Sequence, residues 1–340
     1  MRILLNTLYV TTPETYISKD GLSIIVSVKG TERFRVPAIN IEGIVTFGYV
    51  GASPGLMKLC ADSGIALTFL SPQGKYIGRF QGPVKGNVLL RRAQHIVSVN
   101  PDQSLHYAQL FICGKIHNYQ RILQRRIRDY GNNQSVSNAA SMLKRLKEYA
   151  LKASSAEDLR GIEGQAAATY FSVFNEMLTQ QQIEFAITGR NRRPPCDPAN
   201  AMLSFVYTLL AHDVAAALET VGLDPYIGFF HTLRPGRISL ALDLMEELRA
   251  YLGDRFVLSL INRRQVSSSD FLHHNESGIT MTDQCRKTLL TAWQQRKKEI
   301  ITHPYLQEKI PIGLIPYSQA MLLARCLRGD IDDYPVFLIK

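Results

Sequence analysis

Residues 196–222 read CDPANAMLSFVYTLLAHDVAAALETVG and predict one long helix of a globular core. Asp197 is a favourable N-cap, Pro198 fits the first helical position, and the closing glycine is a typical stop. The apolar residues follow helical spacing, but His212 and Asp213 interrupt them, which argues against a membrane span. The stretch therefore predicts a helical, non-membrane domain around it.

Toward the N-terminus the pattern changes from helical to strand-like near residue 87. The preceding residues contain short runs rich in β-branched and aromatic residues, separated by turn-forming clusters such as SKDG, VKGTE and SPQGK. Several short, half-buried strands are typical of a sandwich. We therefore predict an α+β protein with a small N-terminal β-sandwich domain over residues 1–88. A larger, all-α-helical domain is predicted over residues 89–340, in which the polar segment VSSSDFLHHNESGIT (266–280) could form a hairpin between helices.

Composition limits the partner and the compartment. The 340 residues include 39 Lys and Arg against 29 Asp and Glu, a formal charge of +10 that favours a polyanionic partner such as nucleic acid. The five cysteines are scattered and form no CxxC pair, which argues against a disulfide framework and a zinc ribbon. The N-terminus does not resemble a signal peptide. We expect a cytoplasmic protein.

One candidate acidic residue lies among small residues. Glu163 stands in RGIEGQAAATYF, between Gly161 and Gly164, on a helix for which Ser154 and Glu157 predict a capping box. Glycine costs a helix about 1 kcal/mol relative to alanine. Small neighbours allow a backbone or a bulky ligand to approach the carboxylate closely. The alternative is a solvent-facing glutamate without a function.

A second group of candidates follows in residues 227–248, IGFFHTLRPGRISLALDLMEEL. His231 lies in a loop beside aromatic residues, so it could be a hydrogen-bonded core histidine or a ligand. Asp243 and Glu246 are three residues apart on the next helix and therefore share a face. A solvated helix face explains that pair equally well.

Taken together, these candidates suit a metal ion. A glutamate, a histidine and a further carboxylate from three elements form a mainly oxygen-donor set, which suits Mg²⁺ or Mn²⁺ better than a structural Zn²⁺. Arg234 and Arg237 follow His231 and could hold a phosphodiester backbone. Further basic residues that could face DNA are Arg190, Arg192 and Arg193.

Other patterns give weaker signals. Cys113 and His117 are four residues apart on a predicted helix, but no second pair accompanies them, so a core cysteine is expected. The chain contains no P-loop, GxGxxG, GxSxG or HExxH motif. These absences disfavour the common nucleotide-binding, hydrolase and zinc-protease functions.

Long stretches of the chain resemble one known family. They include FRVPAINIEGIVTFGYVGASPGLMKLCADSGIALTFL, LRGIEGQAAATYF, RNRRPPCDPANAMLSFVYTLL and GFFHTLRPGRISLALDLMEELR. The sequence resembles, over almost its whole length, the CRISPR-associated endonuclease and integrase of the spacer-acquisition complex, the first-numbered Cas protein, in its type I-C form. The resemblance implies a β-sandwich that takes part in dimerisation and a helical catalytic domain.

The resemblance also implies roles for the candidates. The metal ligands of the family fall on Glu163, His231 and the acidic pair of the following helix. Many relatives have aspartate where this chain has Glu246, so either Asp243 or Glu246 is the direct ligand. We favour Glu246, with Asp243 as a catalytic neighbour that orients His231.

The implied reaction is phosphoryl transfer on double-stranded DNA. The 3′-hydroxyl of a protospacer attacks a phosphodiester at the edge of a CRISPR repeat, and water in its place gives hydrolysis. Implied partners are a second copy of the chain and a dimer of the small second-numbered Cas protein. Two other functions remain open: a metal-dependent repair nuclease and a non-catalytic scaffold that binds branched DNA.

Overall fold

The structure, a computed structural model, describes residues 6–10, 12–48, 50–71, 76–80, 82, 88–191, 194–274 and 278–340. The chain divides into two compact units. The first comprises Met1–Lys85 and Leu289–Lys298, and the second comprises Gly86–Thr288 and Glu299–Lys340. The sequence did not predict that Leu289–Lys298 belongs to the first unit.

The first unit contains two four-stranded sheets and a helix. Its elements are β1 (Asn6–Val10), β2 (Thr15–Asp20), β3 (Ser23–Val28), β4 (Thr31–Pro37), β5 (Ile41–Phe47), β6 (Gly51–Ala52), α1 (Pro54–Ser63), β7 (Ala66–Leu70) and β8 (Tyr76–Phe80). One sheet has the order β1-β5-β7-β8, in which only β8 runs antiparallel to its neighbour. The other has the order β4-β3-β2-β6.

Both sheets of the first unit contribute to one apolar core. Ile17 and Ile24 come from the second sheet, Ile44 and Leu67 from the first, and all four are fully buried. Two sheets that bury their inner faces against each other have the layering that a sandwich requires. The strands predicted at the N-terminus are therefore confirmed.

Helices dominate the second unit. They are α2 (Val88–Val99), α3 (Pro101–Tyr130), α4 (Gln134–Leu151), α5 (Ala156–Ser172), α6 (Pro198–Val221), α7 (Ser239–Leu248), α8 (Arg255–Asn262), α9 (Asp283–Lys298, whose last ten residues belong to the first unit) and α10 (Ile315–Leu327). A π-helical segment, Arg249–Asp254, joins α7 to α8. Such segments are rare and occur often at functional sites.

Local signals explain where these helices begin and end. The side chain of Asp197 accepts a hydrogen bond from the backbone N–H of Asn200 and caps α6, as predicted, and Gly222 ends it in the left-handed conformation at φ 90°. The predicted capping box of α5 is wrong by one residue. Ser155 is the cap and accepts from the N–H of Asp158, because the helix begins one residue later than expected.

The prediction of an all-α-helical second domain is wrong at two places. Two antiparallel hairpins lie there: β9 (Phe271–His274) with β10 (Gly278–Met281), and β11 (Ile300–Thr302) with β12 (Lys309–Pro311). Their strands have only three or four residues. The β9–β10 hairpin confirms the hairpin suggested by residues 266–280. The strands of the β11–β12 hairpin have three residues each and show no readable period, so no local signal indicated that hairpin.

The packing of α3 brings the functional elements together. This helix has 30 residues and packs against α4, α5 and α7, while α6 packs against α7 and α10. By length and composition, α6 is the one helix of the described residues that could cross a membrane, but most of it is buried inside the protein. The elements that hold Glu163 and Glu246 therefore meet on the same central helix.

Candidate metal centre

Asp243 fixes the orientation of His231. One carboxylate oxygen of Asp243 lies 2.6 Å from Nδ1 of His231 and accepts the backbone N–H of the same residue at 2.9 Å. The other oxygen accepts the N–H groups of Phe229 and Phe230 at 2.6 and 3.0 Å. All four donors around the Asp243 carboxylate thus come from the loop that carries His231. Because Nδ1 contacts this carboxylate, Nε2 is the ring nitrogen of His231 that can contact another partner.

The sequence explains why the loop lies so close to α7. A Cβ atom on Gly228 would lie 2.6 Å from a carboxylate oxygen of Asp243 and 2.9 Å from the backbone nitrogen of Leu240. Only glycine fits that approach without displacing the helix. The N–H of Leu240 also donates to the carbonyl of Pro225 at 2.9 Å. The loop that carries His231 is thus attached to the start of α7.

Glu246 lies one turn after Asp243 and is almost fully buried. Its Oε1 is 2.9 Å from the guanidinium of Arg249 and 3.9 Å from Nε2 of His231. Burial alone would raise the pKa of this carboxyl, but the charges of Arg249, Lys115 and His231 outweigh it and hold the pKa at about 2. Glu246 is therefore an anion at every physiological pH.

Lys115 of α3 joins Glu246 to Glu163 of α5. Its ammonium nitrogen lies 2.8 Å from Oε2 of Glu246 and forms an ion pair with Oε1 of Glu163. Only 2% of the Lys115 side chain is exposed, against 25% of the Glu163 side chain. Because both carboxylates contact one nitrogen atom, they are near neighbours. Glu163 and Glu246 thus meet in space although 83 positions separate them in sequence.

The predicted metal set does not coordinate a common point as it stands. Within the described ranges, no three His, Cys, Asp or Glu side chains converge closely enough to hold a metal ion. The ammonium of Lys115 lies between Glu163 and Glu246. Yet Oε2 of Glu246 is buried, and no described residue donates a hydrogen bond of regular geometry to it. Carboxylate oxygens and an imidazole nitrogen are the kinds of donor atom that a hard divalent cation takes.

A cavity of about 550 Å³ adjoins the Lys115–Glu163 pair. Beside that pair it is lined by Tyr119, Arg190, Tyr207 and Arg249, and by small residues of α5. In the part of the chain that the structure describes, no atom outside the helix backbone lies within 4 Å of the position that a Cβ on Gly161 or Gly164 would take. The α5 surface near Glu163 is therefore open, as the small residues in its sequence suggested.

The structure distributes the predicted DNA-facing arginines unevenly. Arg234 is exposed in the loop after His231, and Arg237 is half-buried. Burial lowers the pKa of Arg237, and the nearby charge of Arg234 lowers it further. Two guanidinium groups that repel each other are stabilised by an anion between them. Arg190 instead donates to Asn200 and is partly buried, and Arg192 and Arg193 lie outside the described residues.

Cys113 and His117 have separate partners. The thiol of Cys113 donates to the carbonyl of Lys147 at 3.7 Å, and Nε2 of His117 lies 3.2 Å from the carbonyl of Ile339. Burial raises the pKa of the Cys113 thiol to about 12. Cys113 is therefore a buried core residue.

Sequence reasoning missed Lys115 and Arg249. Lys115 lies in FICGKIHNYQ, where the apolar period of α3 continues on both sides of it. A lysine within a stripe of apolar residues was the signal that this position carries a buried charge. Arg249 follows Glu246 by three residues and so shares its helix face. The spacing of Arg249 and Glu246 therefore indicates their ion pair, whereas no local pattern indicates that Lys115 meets Glu163 and Glu246, which lie on other helices.

Comparisons with known proteins identify the family of the chain. The family model "CRISPR associated protein Cas1" matches residues 8–295. The chain is 50% identical to the CRISPR-associated endonuclease Cas1 1 of Chlorobaculum tepidum, over 98% of both chains. It resembles the solved structure of a CAS1 protein from Thermotoga maritima with a TM-score of 0.81 at 23% identity, covering 96% of this chain and 97% of that one.

A casposase bound to an integration product also shares the fold. Its TM-score is 0.79 at 21% identity, and the match covers 98% of this chain and 92% of that one. The family match, the long relative at high identity and the shared fold all lead to one assignment. The chain belongs to the Cas1 family.

Proposed function

We propose that the chain is a metal-dependent DNA endonuclease and integrase that inserts captured DNA fragments into a CRISPR array. The observation that carries this proposal is the meeting of Glu163, His231 and Glu246, from three elements, around one buried cluster. The relative from Chlorobaculum tepidum, which matches over 98% of its length, is an endonuclease by name. The quoted sequence stretches further support the type I-C form.

Glu163, Glu246 and Nε2 of His231 would hold a Mg²⁺ or Mn²⁺ ion. Such an ion polarises a phosphate and lowers the pKa of an attacking hydroxyl or water. The protein's own groups prepare the site in two ways. Asp243 holds the His231 ring with Nε2 facing Glu246, and Arg249 keeps Glu246 ionised.

The loop after His231 supplies groups for the nucleic acid. Arg234 and Arg237 would contact the phosphodiester backbone beside the reacting phosphate, where planar guanidinium groups bind two phosphate oxygens at once. The cavity beside Glu163 leaves room for a strand on the other side. A 3′-hydroxyl and a water molecule can use the same site, so strand transfer and hydrolysis need no separate residues.

As partners we propose a second copy of the chain, a dimer of the small second-numbered Cas protein, and double-stranded DNA as protospacer and repeat. The net charge of +10 supports the polyanionic partner. The family assignment supports the protein partners.

The test is strand transfer by the full chain with its small partner. A labelled duplex with free 3′-hydroxyls is incubated with a supercoiled plasmid that carries a CRISPR repeat, in Mn²⁺. We expect Glu163→Gln and His231→Ala to reduce joined product at least about 10²-fold, a loss typical of removing a group that stabilises the transition state. Duplex affinity should stay near wild type, because it rests on many dispersed basic contacts.

Glu148→Gln is the matched control, since Glu148 is an exposed glutamate on α4. It should join DNA at the wild-type rate. Undiminished joining by Glu163→Gln would overturn the proposal. If the wild-type protein degraded the labelled duplex without joining it to the plasmid, the protein would instead be a repair nuclease. Binding that persists in EDTA, with no product in Mn²⁺, would indicate a scaffold.

A further inference from the structure

Lys115 is a buried cation placed between two carboxylates. Its side chain is 2% exposed, and its nitrogen contacts Glu163 and Glu246 at once. Moving a charge from water into a protein is strongly unfavourable unless partners compensate for it. The two carboxylates also repel each other when no cation separates them. Lys115 therefore holds Glu163 and Glu246 together in the protein without metal.

The charges of this cluster already balance. Glu163 and Glu246 supply two negative charges, and Lys115 and Arg249 supply two positive ones. Arg249 contacts only Glu246 of the pair, and its guanidinium also stacks over the ring of Tyr207 at 5.0 Å. Lys115 is the cation that lies where the two carboxylates meet.

A divalent ion and this ammonium cannot occupy the same place. Mg²⁺ and Ca²⁺ sites have oxygen ligands at about 2.0 to 2.6 Å. The Lys115 nitrogen is 2.8 Å from the buried Oε2 of Glu246. An ion that bridges Glu163 and Glu246 would face the ammonium at contact distance, where two positive charges repel strongly. The ammonium must leave at least one carboxylate.

The structure offers a place for the displaced side chain. Lys115 and Glu163 both line the cavity of about 550 Å³ described above. A lysine has four rotatable bonds, so its nitrogen can move by several ångströms while α3 stays fixed. Within the cavity the ammonium would face the same space that the proposed DNA strand enters.

We propose that Lys115 is a built-in competitor of the metal ion: its ammonium occupies the position between Glu163 and Glu246 in the metal-free protein and is displaced when a divalent cation binds. This inference rests on the proposed function. It makes Lys115 a positioning residue that keeps two like charges together before the metal arrives. It also makes Lys115 the group that limits the metal affinity.

The test measures Mn²⁺ binding to the full chain by isothermal titration calorimetry, without DNA. Lys115→Gln and Lys115→Met both remove the charge, and glutamine can still donate hydrogen bonds to a carboxylate. We expect both variants to bind Mn²⁺ at least about tenfold more tightly than wild type, because the ion no longer competes with the ammonium. Lys144→Met, which removes an exposed charge on α4, should bind like wild type.

A second readout is thermal unfolding in EDTA and in saturating Mn²⁺. Without metal, Lys115→Gln should unfold at a lower temperature than wild type, because two buried carboxylates then lack their shared cation. Mn²⁺ should raise the unfolding temperature of the variant by more than that of wild type. If Lys115→Met does not fold, Lys115→Gln carries both measurements.

The outcomes separate the two proposals. Unchanged or weaker Mn²⁺ binding by a folded Lys115→Gln protein, with normal binding by wild type, would overturn the competitor role and leave the proposed function standing. Tight Mn²⁺ binding by Lys115→Gln together with weaker Mn²⁺ binding by wild type would support both the proposed metal site and the competitor role. Absence of Mn²⁺ binding in wild type and in both Lys115 variants would overturn the proposed metal site and this inference together.

Discussion

Two adjacent glutamates of α7 lie in opposite electrostatic surroundings. Glu246 belongs to the ionised cluster, which comprises Glu163, Glu246, Lys115 and Arg249, and its pKa is about 2. Glu247 belongs to the tail anchor, in which its carboxyl contacts Gln319, Tyr334 and the N–H of Phe337. Burial raises the pKa of Glu247 to about 7, although these hydrogen bonds lower it.

The difference shows that burial by itself does not decide the charge of a carboxyl. Both side chains are buried to nearly the same extent. Two cations contact Glu246, whereas neutral donors surround Glu247. On α7, Glu246 thus pairs with the cations Lys115 and Arg249, whereas Glu247 attaches the C-terminal segment to the same helix. Asn118 of α3 strengthens that attachment by donating to the carbonyl of Phe337 at 2.8 Å.

The largest effect should be the pH dependence of stability that comes from Glu247. Its pKa rises from 4.5 to about 7 on folding. Because the folded-state pKa is raised, the Glu247 carboxyl contributes its full stabilisation below pH 4.5. That contribution is lost as the pH rises from 4.5 through 7. The loss corresponds to about 3 kcal/mol in the free energy of unfolding. Urea unfolding of wild type between pH 4.5 and 7.5 should show it.

Glu247→Gln is the control for that measurement, because its amide does not titrate. The variant should lack the Glu247 component of the slope while other acids still titrate in both proteins. A slope identical to that of wild type would show that Glu247 is already ionised in the fold, and the contrast with Glu246 would disappear.

A smaller effect is expected at Asp243, the third carboxyl of α7. Asp243→Asn keeps the shape of the side chain, but its amide group can no longer accept on both sides. The ring of His231 then loses its fixed orientation toward Glu246. We expect Mn²⁺ affinity and strand transfer to fall about 10- to 100-fold, as for other groups that orient a metal ligand.

The readout that distinguishes orientation from general damage is the response to metal concentration. Raising Mn²⁺ should restore much of the strand transfer of Asp243→Asn but none of that of Glu246→Gln. Equal failure of both variants at saturating Mn²⁺ would place Asp243 among the direct ligands.

The smallest effects concern two glycines. A Cβ on Gly114 would overlap Val336 and lie 3.0 Å from Cβ of Glu247, so Gly114→Ala should destabilise the tail anchor by about 2 kcal/mol. No described neighbour outside α5 comes within 4 Å of a Cβ on Gly161, so Gly161→Ala should stabilise α5 by about 1 kcal/mol. Urea unfolding gives both signs. Stabilisation by Gly114→Ala would show that Val336 does not pack against α3 at this position.

Much of the fold was readable because its signals are local. The cap and stop of α6 were predicted from Asp197, Pro198 and Gly222, and each acts within one turn of the helix. The N-terminal strands were readable from their composition. The β11–β12 hairpin was not, because strands of three residues depend on pairing with a neighbour rather than on their own pattern.

The site divides in the same way. Glu163, His231, Asp243 and Glu246 were selected from short motifs, and the structure brings them together. Spacing alone could not distinguish Asp243 from Glu246, because both lie on one face of α7. Their hydrogen-bond partners separate them: backbone N–H groups surround Asp243, and cations surround Glu246.

The sequence by itself determined the helices, the N-terminal strands, the basic charge and the candidate acidic and imidazole groups, because these depend on residue type and on near neighbours. Only the tertiary structure decided that Lys115 lies between Glu163 and Glu246, and that Glu247 meets Tyr334 instead of a cation. Interactions between buried charges depend on distances across helices that are far apart in the chain, and no local pattern encodes those distances.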